Sequence, residues 1–230
     1  MATRVVLFDL DGTVLTFEGA PPGPGRTALE RAMRELYALE GATQGMRVAG
    51  GTDRALARAL LLRVGVVGDE RAIDRLLESY LGHLRMVLET RTYRQVGDVS
   101  RAVGALRDRG AVVGIATGNV KSGAQLKLAS AGLLSAFHLE HGGFGCDAEP
   151  REDIVRVAVE RCAPRQETQV VVIGDTEHDV RAGRAVGARV VGVATDTPAR
   201  LELEAAGADA IVDTCGDALV WEALRGGSCD

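Results

Sequence analysis

The stretch Val5-Val6-Leu7-Phe8-Asp9-Leu10-Asp11-Gly12-Thr13 decides how this chain is read. Four consecutive apolar residues, two of them β-branched, have the length and composition of a strand buried on both faces. That strand ends on two carboxylates and a glycine. Asp-Gly is common in a turn after an edge strand. Two carboxylates at the end of a buried strand, however, are electrostatically costly without a cation beside them.

Working outward, three more β-branched runs end the same way, on small or polar residues: Val112 to Ala116 before Thr117, Val170 to Ile173 before Gly174-Asp175, and Val190 to Val193 before Thr195-Asp196. Ala210 to Val212 and Phe137 to Leu139 are weaker strand candidates. Between the runs, Ser100 to Arg109, Gly123 to Ala131, Glu152 to Arg161 and Val180 to Val186 carry apolar residues at three- and four-residue steps, the helical period. Strands alternating with helices predict an α/β fold with a Rossmann-like parallel sheet. Residues 17–92 break the rhythm, being rich in Ala, Leu, Arg and Glu without a convincing strand, and read as an inserted helical module. Its start is marked by Pro21-Pro22-Gly23-Pro24-Gly25, a composition that forbids regular structure and suits a hinge, and its end lies near Tyr93 to Gly97. The expected division is residues 1–16 with 93–230 as the α/β core and 17–92 as the helical insert.

Bulk composition narrows the function classes. The 230 residues, 46% of them hydrophobic, suffice for a buried core. The 27 basic and 32 acidic residues give a net charge of −5 and are scattered, so no nucleic-acid partner is expected. The longest apolar region, Ala55 to Val67, is interrupted by Arg58 and Arg63, so no membrane partner is expected either. Cys146, Cys162, Cys215 and Cys229 form no C-x-x-C pair, which fits a reducing cytoplasm. Cys146 reads as a small buried filler. The chain has two lysines, Lys121 and Lys127.

In an open parallel sheet, ligands sit beyond the carboxyl ends of the strands, so Asp9, Asp11, Thr117, Gly118, Asn119, Asp175 and Asp179 should converge. Carboxylates with hydroxyl and backbone donors are what a hard cation and a phosphoryl group require. Taken alone, Thr117-Gly118-Asn119 reads equally as a strand-to-helix turn with an N-cap, and Asp175 with Asp179 as a helix-capping pair.

The ordered set Val6-Leu7-Phe8-Asp9-Leu10-Asp11-Gly12-Thr13-Val14-Leu15, then Ala116-Thr117-Gly118-Asn119, then Gly174-Asp175-Thr176-Glu177-His178-Asp179 resembles the haloacid dehalogenase-like hydrolase superfamily, in particular its phosphoglycolate phosphatase and β-phosphoglucomutase-like members, over essentially the whole chain. The resemblance implies that the insert is an α-helical cap domain. It implies a Mg2+ cofactor held by Asp9, the backbone carbonyl of Asp11, and Asp175, with Asp179 orienting that set. It also implies that Asp9 is the nucleophile and Asp11 the acid–base group. Thr117 and Gly118 would hold the phosphoryl oxygens, with Asn119 shaping the loop. The family's cation, usually a lysine ahead of the helix after the third strand, is matched here by Arg151, whose permanent charge and forked geometry suit phosphate. Lys121 is the competitor, with its helical position pointing it to solvent. In the insert, Gly50-Gly51-Thr52-Asp53-Arg54 resembles a substrate-reaching cap loop; Thr52 or Asp53 reads equally as a helix N-cap. Arg47 and Arg54 are candidates for an acidic substrate tail. His178 reads as a residue at the rim.

Among the activities of such a family, Asp11 argues against dehalogenation, which has no leaving alkoxide to protonate. The absence of lysine from residues 17–92 argues against Schiff-base chemistry. The expectation is a Mg2+-dependent phosphatase for a small phosphorylated metabolite, acting through an aspartyl-phosphate. A sugar phosphomutase using the same pair is the alternative, and a catalytically silent binding module a more distant one.

Overall fold

A computed structural model describes residues 2–164 and 167–217. Six strands, β1 (Thr3–Phe8), β4 (Val112–Ala116), β5 (Gly142–Gly143), β6 (Thr168–Gly174), β7 (Arg189–Val193) and β8 (Ala210–Val212), form one parallel sheet in the order β5-β4-β1-β6-β7-β8. From β1 the chain adds strands on one side (β4, β5) and then on the other (β6, β7, β8). The order therefore reverses around β1, which makes the carboxyl end of β1 the natural ligand crevice.

Alternate residues of β1 feed opposite faces. Val6 and Phe8 join Val113, Ile115 and Ile173 beneath helices α4 (Val99–Asp108) and α5 (Lys121–Ser130). Val5 and Leu7 join Val172 and Val190 beneath α6 (Arg151–Cys162), α7 (Glu177–Ala185) and α8 (Thr197–Ala206). The expected strands and helices all appear within a few residues, except one. Phe137 to Leu139 is not a strand: it links two 3-10 turns (Leu134–Ala136 and Leu139–His141), and Phe137 spends its ring edge-on against Phe8, 5.7 Å between centroids. The edge strand is instead Gly142–Gly143, where a Cβ on Gly143 would come within 2.1 Å of the Ile154 carbonyl.

Between β2 (Leu15–Thr16) and β3 (Arg94–Gln95), which pair antiparallel, the chain forms α1 (Pro24–Tyr37), α2 (Asp53–Arg63) and α3 (Glu70–Leu88). The two strands hold the outgoing and returning segments side by side. The Pro-Gly stretch is shorter as a linker than its composition suggests: Pro24 opens α1, because a proline in the first turn forfeits only an N–H that a helix leaves unpaired anyway. Apolar faces of α1 and α3 (Ala28, Met33, Ile73, Leu76, Leu84) continue the core on the Phe8 face of the sheet without a break. Among the described residues no helix is long and apolar enough to cross a membrane. Cys162 and Cys215 are buried thiols; Cys146 is exposed, against expectation, on the turn after β5, and Cys229 lies outside the described residues.

Candidate active site

The three strand ends that the sequence singles out meet. Asp9 leaves β1 with its N–H still donating to Ile173 of β6 at 2.9 Å, and the chain then folds back as the Leu10 carbonyl accepts from the N–H groups of Thr13, Val14 and Leu15. Gly12 makes this turn feasible. Its φ is +86°, and a Cβ there would lie 2.0 Å from Asp175 Oδ2, so only glycine brings the 11–12 backbone against that carboxylate. Thr13 Oγ1 donates to Asp175 Oδ1 at 3.1 Å, tying the β1 and β6 loops together.

Asp9, Asp175 and Asp179 bring carboxylate oxygens within 4.8 Å of one another. Asp179 stands in the first turn of α7, where Oδ2 accepts from the N–H of Thr176 at 3.0 Å and from its hydroxyl at 2.7 Å, and Oδ1 accepts from Arg151 Nε at 3.0 Å. Arg151, the first residue of α6, places Nη2 2.7 Å from Asp9 Oδ1 and 2.5 Å from Asp179 Oδ1. One guanidinium against three carboxylates leaves an excess of negative charge. Desolvation, with Asp179 and Asp11 adding to it against Arg151, pushes Asp9 up to about 6. Asp175 is driven well above the carboxylate range by burial, then by Asp179 and Asp9. Hard oxygen donors that repel one another in this way fit a divalent cation, with Asp9 and Asp175 the oxygens not already committed to a structural partner on both sides. Asp179, whose two oxygens are taken by Arg151 and Thr176, fits the orienting place.

The carboxylate of Asp11 turns the other way, away from that cluster. Its Oδ2 accepts from Asn119 Nδ2 at 2.8 Å and from Lys127 Nζ at 2.6 Å. Asn119 also donates to Thr117 Oγ1 at 2.9 Å and accepts from Lys127 at 2.6 Å. With Oγ1 serving as acceptor, the Thr117 hydroxyl proton is left to point elsewhere. Burial works to raise Asp11, but the Lys127 charge and the two hydrogen bonds more than offset it, and the carboxyl ends below its ordinary range. Burial likewise works to lower Lys127, and Asp11 with Tyr93, Tyr80 and Asp53 carries it well above.

Sequence reasoning missed Lys127. The signal was present: a lysine on the stripe Gly123, Ala124, Leu128 that faces the core, in a chain with one other lysine. Lys121 is exposed beside the Phe144 ring, as expected for a solvent-facing side chain.

The insert closes over these loops. A Cβ on Gly118 would lie 2.3 Å from the Gly51 carbonyl oxygen, which measures how closely the two loops approach. Asp53 N–H donates to the Gly118 carbonyl and Asp53 Oδ2 accepts from Val120 N–H, both at 2.8 Å. Thr52 is the N-cap of α2, accepting from Ala55 N–H at 3.2 Å, and Asp53 is the first helical residue with its carboxylate in the cavity wall. Burial pushes Asp53 up to about 6, against the pull of Lys127. The cavity between the insert and these loops, about 1050 Å³ and open to solvent on one side, is lined by Asp9, Asp11, Asp175, Thr117, Lys127 and Arg151 below and by Gly50, Asp53 and Tyr80 above. His178 stands at its edge, against Gly50.

Arg47 and Arg54 do not line the cavity. Arg47 is exposed and pairs with Glu202 at 2.9 Å and Glu177 at 3.9 Å, and Arg54 is held by Asp74 at 2.8 Å and by Glu70. Both guanidiniums face nearby carboxylates, and neither residue lines the cavity, where the expected role at a substrate tail would place them.

Comparison with known proteins places the fold in a family. The chain is 27% identical over 213 residues to the probable phosphatase IndB of Dickeya dadantii, covering 91% of this chain and 89% of that protein. In fold it is similar to a predicted phosphoglycolate phosphatase from Haemophilus somnus, with TM-score 0.67, 18% identity, and 96% and 98% of the two chains covered. It is likewise similar to a putative β-phosphoglucomutase from Bacteroides vulgatus, with TM-score 0.70, 16% identity, and 97% and 89% covered. The family description haloacid dehalogenase-like hydrolase matches residues 3–187, which contain the strand ends at Asp9, Thr117 and Asp175. With that match spanning most of its length, the chain belongs to the haloacid dehalogenase-like hydrolase family.

Proposed function

We propose that the protein is a Mg2+-dependent phosphatase that hydrolyses a small phosphate monoester of the phosphoglycolate type through an aspartyl-phosphate on Asp9. The observation that carries this reading is that two aspartates two residues apart are held by two different cations, Asp9 by Arg151 at 2.7 Å and Asp11 by Lys127 at 2.6 Å. Carboxylates in separate environments suit separate roles. Asp9, with a guanidinium that can also meet phosphoryl oxygens, suits in-line attack on phosphorus. Asp11, which Lys127 holds ionised, suits taking a proton from the hydrolytic water and giving it to the departing oxygen of the next turnover.

The Thr117 hydroxyl and the Gly118 N–H would hold the equatorial oxygens. Mg2+, held by Asp9, Asp175 and the Asp11 carbonyl, would supply charge neutralisation between nucleophile and anionic substrate. In this reading residues 17–92 are a lid over a core of 1–16 and 93–230, and a cavity of about 1050 Å³ lined from both favours a small metabolite over a nucleic acid, a membrane or another macromolecule. A cytoplasmic location is part of the same proposal. The similarity to a probable phosphatase supports phosphate ester hydrolysis.

The test is phosphate release from p-nitrophenyl phosphate with and without Mg2+, for wild type and Asp9→Asn, followed by a panel that includes phosphoglycolate and β-glucose 1-phosphate. Mg2+-dependent release lost in Asp9→Asn is the expected result; equal, metal-independent release by both proteins would overturn it. Transfer of phosphate within a sugar, without release, would replace the phosphatase with a phosphomutase.

A further inference from the structure

Arg151 already supplies a cation to the nucleophile, so the second buried cation in the cavity wall needs its own explanation. Lys127 lies on α5, two turns beyond the Thr117 loop, with a side chain only 6% exposed. Its helical neighbours on the buried stripe are Gly123, Ala124 and Leu128. Packing alone would be served there by an apolar side chain, and burying an ammonium costs energy that an apolar residue avoids. What the ammonium does instead is specific. It donates to Asp11 Oδ2 and to Asn119 Oδ1, both at 2.6 Å. The bond to Asn119 Oδ1 fixes which way that amide faces, so its Nδ2 points at Asp11 Oδ2 and Thr117 Oγ1. The Tyr93 ring, 5.7 Å from Nζ, closes the far side. Asp11 Oδ2 is thus held by two donors, whereas Oδ1 takes no hydrogen bond from the described residues.

We propose that Lys127 is the positioning residue of the acid–base step: by pinning Oδ2 of Asp11 it leaves Oδ1 as the single oxygen that exchanges protons with the leaving group and with water. The proposal rests on the phosphatase reading above. In the first half-reaction the bond from Asp9 oxygen to phosphorus forms, the bond from phosphorus to the leaving oxygen breaks, and the proton that Asp11 Oδ1 took up in the water step of the preceding turnover moves to that oxygen. In the second, Oδ1 takes a proton from water as the water oxygen bonds to phosphorus and the Asp9–phosphorus bond breaks, releasing phosphate. Asn119 and Lys127 keep their protons throughout.

The experiment measures kcat/KM for substituted phenyl phosphates of graded leaving-group basicity, in wild type, Lys127→Met, Asp11→Asn and the double variant. A positioned acid contributes about 100-fold or more where the leaving group needs a proton. Lys127→Met is therefore expected to lose about 100-fold on the most basic phenols and less than about 5-fold on nitrophenol, which steepens the dependence. In the Asp11→Asn background the same substitution should steepen nothing further, since coupled residues fail to add. Lys127→Gln, which keeps an N–H for Asp11 without the charge, should fall between wild type and Lys127→Met and replaces the latter if Lys127→Met does not fold. A uniform loss across all leaving groups, or full additivity with Asp11→Asn, would overturn the positioning role while leaving the phosphatase reading intact. A wild type that releases no phosphate at all would remove that reading, and the proposal with it.

Discussion

Arg151 Nη2 stands 2.7 Å from Asp9 Oδ1 and 2.5 Å from Asp179 Oδ1, so one guanidinium bridges the end of β1 to the first turn of α7. The side chain is only 10% exposed, and both carboxylates are less exposed still. A fork of fixed geometry suits this bridge better than a point charge, because two N–H groups meet Asp179 while a third direction remains near Asp9.

Removing that side chain strands two buried carboxylates. Arg151→Ala should therefore cost about 3–5 kcal/mol of stability, the usual penalty for breaking a buried pair from one side, and also lower kcat/KM by about 100-fold or more. Lys121→Ala, at an exposed position, should stay within about 0.5 kcal/mol of wild type. Urea unfolding and steady-state kinetics on both variants check this; similar small effects would mean that Arg151 is not the phosphate cation.

The contact between Gly118 and the Gly51 carbonyl gives a second prediction. A methyl at residue 118 would lie 2.3 Å from that oxygen and 3.0 Å from Thr52 Cα and Arg151 Nη1, all but the last parts of the backbone. Backbone cannot rotate aside, so Gly118→Ala should push the 50–53 loop off the site. The expected outcome is a fall in kcat/KM of about 100-fold, as for other misplaced site geometry, with far-UV circular dichroism unchanged. Unchanged kinetics would mean that the loop's approach is not needed for turnover.

Strand ends were legible in the sequence because they are local: a buried run followed by a polar loop marks the positions of Asp9, Thr117 and Asp175, while their expected roles came from the family resemblance. What was not legible depends on partners far along the chain. Arg47 looked available until Glu202, 155 residues away, came beside it. Lys127 stands in the sequence only as one of two lysines, and its partners Asp11 and Asn119 reach it from loops earlier in the chain. The edge strand Gly142–Gly143 carries no β-propensity, and its position follows from the close approach of α6 rather than from its residues.

Asp53 yields a pH prediction. Its carboxyl, ordinarily at 3.8, is pushed up to about 6 in the folded protein, chiefly by burial. Below 3.8 both states are protonated, and between 3.8 and about 6 the unfolded chain has lost its proton while the folded one keeps it, so this group makes stability fall as pH rises through that window. Asp53→Asn keeps an oxygen for the Val120 N–H and removes the titration. It should gain about 1–3 kcal/mol over wild type at pH 7 and nothing at pH 3.5, allowing for partial exposure to the cavity. Urea midpoints at the two pH values decide it; an equal gain at both would assign the effect to packing.

Metal removal gives the last prediction, read without turnover. Asp9 and Asp175 repel each other across the cluster, with Asp175 held far above its ordinary range by burial and by those neighbours. A divalent cation there relieves the repulsion in the folded state alone, so Mg2+ should stabilise the protein by mass action. At about 100 times its dissociation constant the gain is ~2.7 kcal/mol. For a chain of this size that corresponds to a rise in melting temperature of about 5–10 °C, reversed by EDTA. Asp175→Asn should abolish the shift, because it removes a ligand charge, whereas Asp53→Asn, outside the cluster, should retain it. A Mg2+ shift that survives Asp175→Asn would place the cation elsewhere and leave the three carboxylates to be explained by Arg151 alone.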